Sequence, residues 1–181
     1  MKTPICDFVE NYAREGKLRL HMPGHKGIPF LGVEERDITE VEGADVLYVA
    51  EGIIAESEKY ASELFGSGKT VYSAEGSSLC IRSMVFLTSL YSKKIGKKPL
   101  VLAVRNAHKT FASALALTDC DVEWIYPEEK ENLISCRVTA ERLEKKLSEM
   151  ESLPTAVYLT SPDYLGAISD VGGIAEVCHR F

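Results

Sequence analysis

The fold turns on the stretch Pro99-Leu100-Val101-Leu102-Ala103-Val104-Arg105-Asn106-Ala107-His108-Lys109-Thr110. An apolar run is followed without a spacer by a polar, basic cluster. Such an unbroken run suits a strand covered on both faces. The cluster then leads into a helix expected over His108 to Leu117. Outward from here, strands are expected at Thr70–Ser73, Asp121–Tyr126 and Thr155–Thr160. Helices are expected at Pro4–Glu15, Ile53–Phe65, about Leu79 to Tyr91, Thr139 to about Met150, and Val171–His179. Gly16, Gly66 and Gly68 stand where helices can end. Thr139 precedes an acidic first turn and can cap its helix. Strands and helices alternate from residue 69 onward. That pattern predicts an α/β fold of three layers, with a mostly parallel sheet between helices. Two parts are expected: residues 1–50 as an N-terminal helix and arm, and residues 51–181 as the sheet-bearing part.

Sheets of this kind bind ligands at the carboxyl ends of their strands. Three polar clusters stand there. Glu75-Gly76-Ser77-Ser78 comes after the first expected strand. Glycine lets backbone approach a ligand, and serine hydroxyls with free helix amides can hold a phosphate. An ordinary serine cap after a glycine turn reads the same way. Arg105 to Thr110 comes after the second strand, where His108 could stack on a flat heteroaromatic ring or Asn106 could simply cap a helix. Thr160-Ser161-Pro162-Asp163-Tyr164 comes after the fourth, and a plain turn fixed by Pro162 is the alternative. Gly66-Ser67-Gly68-Lys69-Thr70 mimics the end of a phosphate-binding Walker loop. Glu63 stands where that loop needs glycine, and the segment runs from helix to strand instead of the reverse.

The chain has 181 residues, 45% hydrophobic and 27% charged, with a formal net charge of −6. The charge argues against a nucleic-acid-coating surface. Cysteines at 6, 80, 120, 136 and 178 form no CxxC pair, and no secretory leader is evident. Reduced thiols in the cytoplasm are expected. No run reaches the roughly 20 apolar residues of a membrane span. His21 and His25 are four apart, but Pro23 and Gly24 between them forbid a helix, so no metal site is expected. Glu128-Glu129-Lys130-Glu131 suits a solvated loop.

Together these motifs resemble the ornithine/lysine/arginine decarboxylases, a family of fold-type-I enzymes dependent on pyridoxal 5′-phosphate (PLP). Arg19-Leu20-His21-Met22-Pro23-Gly24-His25-Lys26-Gly27 resembles the family's N-terminal signature. Asp37 to Glu40, Glu51-Gly52 and Glu63 to Gly66 resemble the family segment next in order. Gly76-Ser77-Ser78 falls at the phosphate-binding turn. Arg105 to Thr110 resembles R-N-x-H-K-[ST], and Thr160 to Gly166 is similar to T-S-P-T-Y-Y-G. The order is colinear over nearly the whole chain. Departures are Ala74-Glu75 before Gly76, Asp163 for threonine, and Ala44-Asp45-Val46-Leu47 for an Asp-Asp-Leu segment.

The resemblance implies roles. Gly76, Ser77 and Ser78 would hold the phosphate of PLP, His108 would stack on its ring, and Ser161 and Pro162 would border the pocket. His21, Pro23, Gly24, His25 and Lys26 would form an active-site arm near a subunit boundary, in a homodimer or larger assembly. The implied reaction is decarboxylation of ornithine, lysine or arginine. Family members also carry an Asp-x-x-His stretch and a Ser-x-His-Lys stretch, whose lysine bonds the cofactor. This sequence ends short of both, so the 181 residues alone are expected to be inactive. Lys109 falls in the earlier motif and is not that lysine. Another PLP reaction on the same fold, or a non-catalytic interaction module, remains open.

Overall fold

The computed structural model describes residues 2–128 and 134–181. Glu129 to Glu131 of the expected acidic loop lie outside them. The chain forms two compact units, Met1–Ala74 and Glu75–Phe181.

In the first unit, helix α1 (Pro4–Arg14) packs on helix α2 (Ile53–Phe65). Tyr12 is the buried member of the apolar stripe Ile5, Phe8, Val9 and Tyr12, and Phe8 stacks on it. Residues 51–74, assigned from sequence to the sheet-bearing part, therefore cluster with the N-terminal segment. Gly66 closes α2 in the left-handed conformation. Between the helices, a short 3-10 turn (Leu47–Val49) sits in a long irregular connection. Two carboxylates organise it. Asp45 accepts from the amides of Val46, Glu51, Gly52 and Ile54, at 2.8–3.2 Å. Glu34 accepts from Leu31, Gly32 and Val33. Each takes donors that turns leave without a backbone acceptor.

The second unit holds the sheet. Strand β1 (Leu100–Val104) lies between β2 (Asp121–Ile125) and β3 (Ala156–Tyr158), and both pairings are parallel. Successive side chains of β1 point to opposite faces. Val101 and Ala103 join Val85 of helix α3 (Gly76–Lys94) and Phe111, Ala114 and Leu115 of helix α4 (Lys109–Thr118). Leu102 and Val104 join Leu143 and Leu147 of helix α5 (Ala140–Ser148) and Ile174 and Val177 of helix α6 (Val171–Arg180). The expected three-layer α/β fold is thus formed, with one core on each face of the sheet. The Thr139 hydroxyl caps α5 as expected, accepting from the Arg142 amide.

One expected strand is absent. Thr70–Ser73 makes no ladder among the described residues, and Val71 is 66% exposed. A strand exists only with a neighbour to pair with, and this segment pairs with none of β1, β2 and β3. Helix α3 also starts earlier than expected, so Gly76 to Ser78 form its first turn.

Strand order fixes where a ligand can enter. From β1 the chain goes to one side for β2, then crosses to the other side for β3. The order reverses between β1 and β3. A crevice opens outside the carboxyl ends of strands at such a point.

Each unit has a measurable signature. Phe111 is fully buried, stacked on Tyr158 at 4.1 Å and edge-on to Trp124. Phe111→Ala is expected to destabilise the chain by about 3–5 kcal/mol in urea titration. In the first unit, backbone amides, that of Leu31 foremost, lower Glu34 from 4.5 to about 2. Burial pushes Asp45 up, but its four amides bring it from 3.8 to about 2. Both groups hold protons more tightly when unfolded, so their contribution is present above the unfolded values and lost as pH falls toward 2. Glu34→Gln with Asp45→Asn is expected to flatten the urea midpoint of this unit between about pH 4.5 and pH 2. An unchanged pH profile would refute the assignment.

Candidate cofactor-binding site

The site lies in the second unit and starts from two helix beginnings. Helix α3 opens on Gly76, whose φ of +64° only glycine adopts freely. Ser77 is exposed and Ser78 half-buried on that first turn. Helix α4 opens after β1, and its cap is a histidine. His108 Nδ1 accepts from the Thr110 amide at 3.2 Å. Asn106, the cap expected among the alternatives, is instead buried two residues upstream.

Thr110 joins the two openings. Its hydroxyl lies 3.0 Å from His108 Nδ1 and 3.3 Å from the Ser78 hydroxyl. A backbone N–H can only donate, so Nδ1 carries a lone pair and the proton of the neutral ring is on Nε2. His108 itself is exposed, so a face of the imidazole is open for stacking. Thus Ser78 and His108, predicted from separate motifs, share one buried partner, Thr110, the last position of the second motif, to which no role was assigned from sequence.

Around this centre, the Arg105 guanidinium lies 5.1 Å over the Trp124 ring. Asn106 is 3% exposed, and neither Nδ2 nor Oδ1 has a hydrogen-bond partner among the described residues. Buried amides left unpaired are uncommon and mark places where polar contact is still available. Ser161 and Pro162 come after β3, on the same edge of the sheet. The Ser161 hydroxyl accepts from the Ser169 amide at 3.0 Å, while Pro162 is exposed. Asp163 closes this loop upon itself. Its Oδ1 accepts from the amides of Leu165 and Ala167, at 2.9 and 2.8 Å. The Ala167 amide foremost, against the effect of burial, holds its carboxyl below the ordinary range. The aspartate is therefore a loop organiser.

The arm belongs to the first unit. His21 Nε2 meets the Tyr12 hydroxyl at 2.9 Å, and Nδ1 contacts the Met22 carbonyl. The Lys26 ammonium donates to the His21 carbonyl. His25 Nδ1 accepts from the Gly27 amide at 3.0 Å, and Nε2 faces Asp37 at 3.1 Å. Pro23 precedes Gly24 in the turn between them, and its carbonyl accepts from the Lys26 amide. The two imidazoles thus have separate partners and hold the turn. Behind them, buried Arg19 donates to the carbonyls of Glu34 and Glu35. A side chain at Gly27 would strike its guanidinium at 2.7 Å.

The model of the Orn/Lys/Arg decarboxylase, major domain, matches residues 3–181. The chain belongs to that family. Among its relatives, the arginine decarboxylase of Bacillus subtilis is 27% identical over 99% of this chain and 38% of its own length. The arginine decarboxylase of Halalkalibacterium halodurans is 29% identical over 98% of this chain and 37% of its own. The chain thus spans well under half the length of these relatives. The crystal structure of Oryza sativa TDC with PLP superposes with a TM-score of 0.53 at 17% identity, covering 71% of this chain and 32% of that one. Mouse CSAD gives 0.53 at 20% identity, covering 71% and 30%. At these identities the likeness establishes the fold.

The cap separates two roles of His108. His108→Ala should destabilise the chain by about 1 kcal/mol in urea titration, and His108→Asn, which can still cap, should restore most of it. Equal losses in both would mean the cap contributes nothing.

Proposed function

We propose that this chain forms the phosphate and ring cradle of a PLP-dependent decarboxylase acting on a basic amino acid. The observation that carries this reading is the link from Ser78 through Thr110 to His108 beside the β1–β3 reversal. Arginine is the leading substrate among arginine, lysine and ornithine, because the arginine decarboxylases of Bacillus subtilis and Halalkalibacterium halodurans match over nearly all of this chain.

The residues fit the group. Amides at the start of α3 point along the helix axis and carry partial positive charge, which favours a phosphate. Ser77 and Ser78 add hydroxyl donors there. His108 offers a flat face, held by its cap. Asn106 offers a buried amide at the same strand end. When bound, PLP supplies an electron sink for the carbon that loses carbon dioxide. These residues bind and orient it; the amine and the ring-nitrogen acid that the chemistry also needs are not among the roles assigned to them. The 181-residue chain alone is accordingly expected to release no carbon dioxide from arginine, lysine or ornithine. Assembly of two or more copies in the cytoplasm belongs to the same reading. The exposed apolar residues Leu18, Leu20, Phe30 and Leu31 of the arm support self-association. Among the described residues no helix is long and apolar enough to cross a membrane.

Calorimetric titration with pyridoxamine 5′-phosphate and with unphosphorylated pyridoxamine tests the cradle. The phosphorylated compound should bind and the other should not. Ser77→Ala with Ser78→Ala should weaken binding at least roughly tenfold, the scale of one hydrogen bond to a charged group. Equal affinity for both compounds, or an unchanged affinity in the double variant, would defeat the reading.

A further inference from the structure

We propose that Thr110 is a positioning residue that sets the tautomer and orientation of His108 and couples it to the Ser78 hydroxyl. The inference rests on the cofactor reading for its purpose, but its geometry stands by itself. Thr110 is 6% exposed, whereas the imidazole it holds is exposed and Ser78 is half-buried. The buried, β-branched residue has few rotamers, so its hydroxyl direction is set by packing. Two of its groups converge on one nitrogen: the amide at 3.2 Å and the hydroxyl at 3.0 Å.

The amide orients the roles along this chain of bonds. The amide N–H must donate, so Nδ1 accepts. In the proposed arrangement the Thr110 hydroxyl shares that one lone pair, donating to Nδ1 beside the amide. Its oxygen is then left as an acceptor, and the Ser78 hydroxyl is the donor toward it. A phosphate on the first turn of α3 would draw the Ser78 proton to itself. Thr110 would lose its incoming bond, and the hydrogen bond it gives to His108 would weaken. Phosphate occupancy and imidazole setting are thereby linked through a single hydroxyl, across 32 residues of sequence. Fixing the ring beforehand also reduces the side-chain entropy lost when a ligand stacks on it.

Long-range proton–nitrogen NMR of the 181-residue chain reads the tautomer directly. The chain has four histidines, and His108→Gln assigns the resonance in question. Wild type should show His108 with the proton on Nε2. Thr110→Val keeps the backbone amide and the shape but removes the hydroxyl. It should shift the tautomer ratio toward Nδ1–H by roughly fivefold, the equilibrium effect of one ordinary hydrogen bond. It should lower pyridoxamine 5′-phosphate affinity by a similar factor. Thr110→Ser should restore both. Adding pyridoxamine 5′-phosphate to wild type should move the same nitrogen signals. A merely structural role for Thr110 would leave the ratio where it is. An unchanged ratio in Thr110→Val, with phosphate binding intact, overturns the positioning role and spares the cofactor reading. A ratio that moves as expected in a chain that binds no pyridoxamine 5′-phosphate upholds the positioning and overturns the cofactor reading.

Discussion

The structure of the second unit depends on the burial of one five-residue strand. β1 has a strand hydrogen-bonded on each side and an apolar cluster on each face. Its backbone groups and side chains are satisfied by everything else the unit contains. Helices α3 and α4 meet because Val101 and Ala103 need cover on one face, and α5 and α6 because Leu102 and Val104 need it on the other. The strand therefore fixes the position of the segment leaving its carboxyl end. Arg105 to Thr110 depart from the sheet at a point determined by core packing, and polar chemistry is built on that rigid end.

Much of this was legible because β1 obeys a simple rule. A short, unbroken apolar run of five residues between helical segments suits a strand covered on both faces, being too short for a core helix, and parallel neighbours follow from the helices between them. Thr70-Val71-Tyr72-Ser73 has the β-favouring residues of a short strand and is not one. The difference is pairing, which no local sequence encodes. Likewise Ile53–Phe65 was legible as a helix from its spacing, but its partner, α1, was not. Helical periodicity shows that a face must be covered and says nothing about what covers it.

The candidate site divides along the same line. Gly76, Ser77, Ser78 and His108 stood out as candidates because glycine, hydroxyls and an imidazole at helix openings have few uses. Thr110 stood in the sequence only as the last position of the R-N-x-H-K-[ST] resemblance, with no role, since a threonine in the first turn of a helix is commonplace. Its importance comes from lying between two segments distant in sequence. Asp163 shows the converse. It stands where the resembling motif has threonine, and one oxygen of its carboxylate is occupied by two amides of its own loop. Asp45 and Glu34 behave alike in the other unit. In each case irregular backbone leaves donors without acceptors, and a nearby carboxylate takes them.

That contrast bears on which polar groups are available for a ligand. A carboxylate such as Asp163 directs its bonded oxygen inward, and its loop would loosen if the oxygen were drawn elsewhere. His108 is arranged the other way. Its inner nitrogen is occupied by Thr110, and this occupation is what leaves Nε2 and the ring face outward. Holding one side of a group firmly is the means of presenting the other side reliably, since a free imidazole would sample several rotamers and both tautomers. The cap of α4 is thus more than a device for ending a strand and starting a helix. By using an imidazole where serine or aspartate would serve the helix as well, the chain places a flat, oriented ring at the mouth of its sheet. Packing of β1 sets where that ring stands, and two bonds from one threonine set which way it faces.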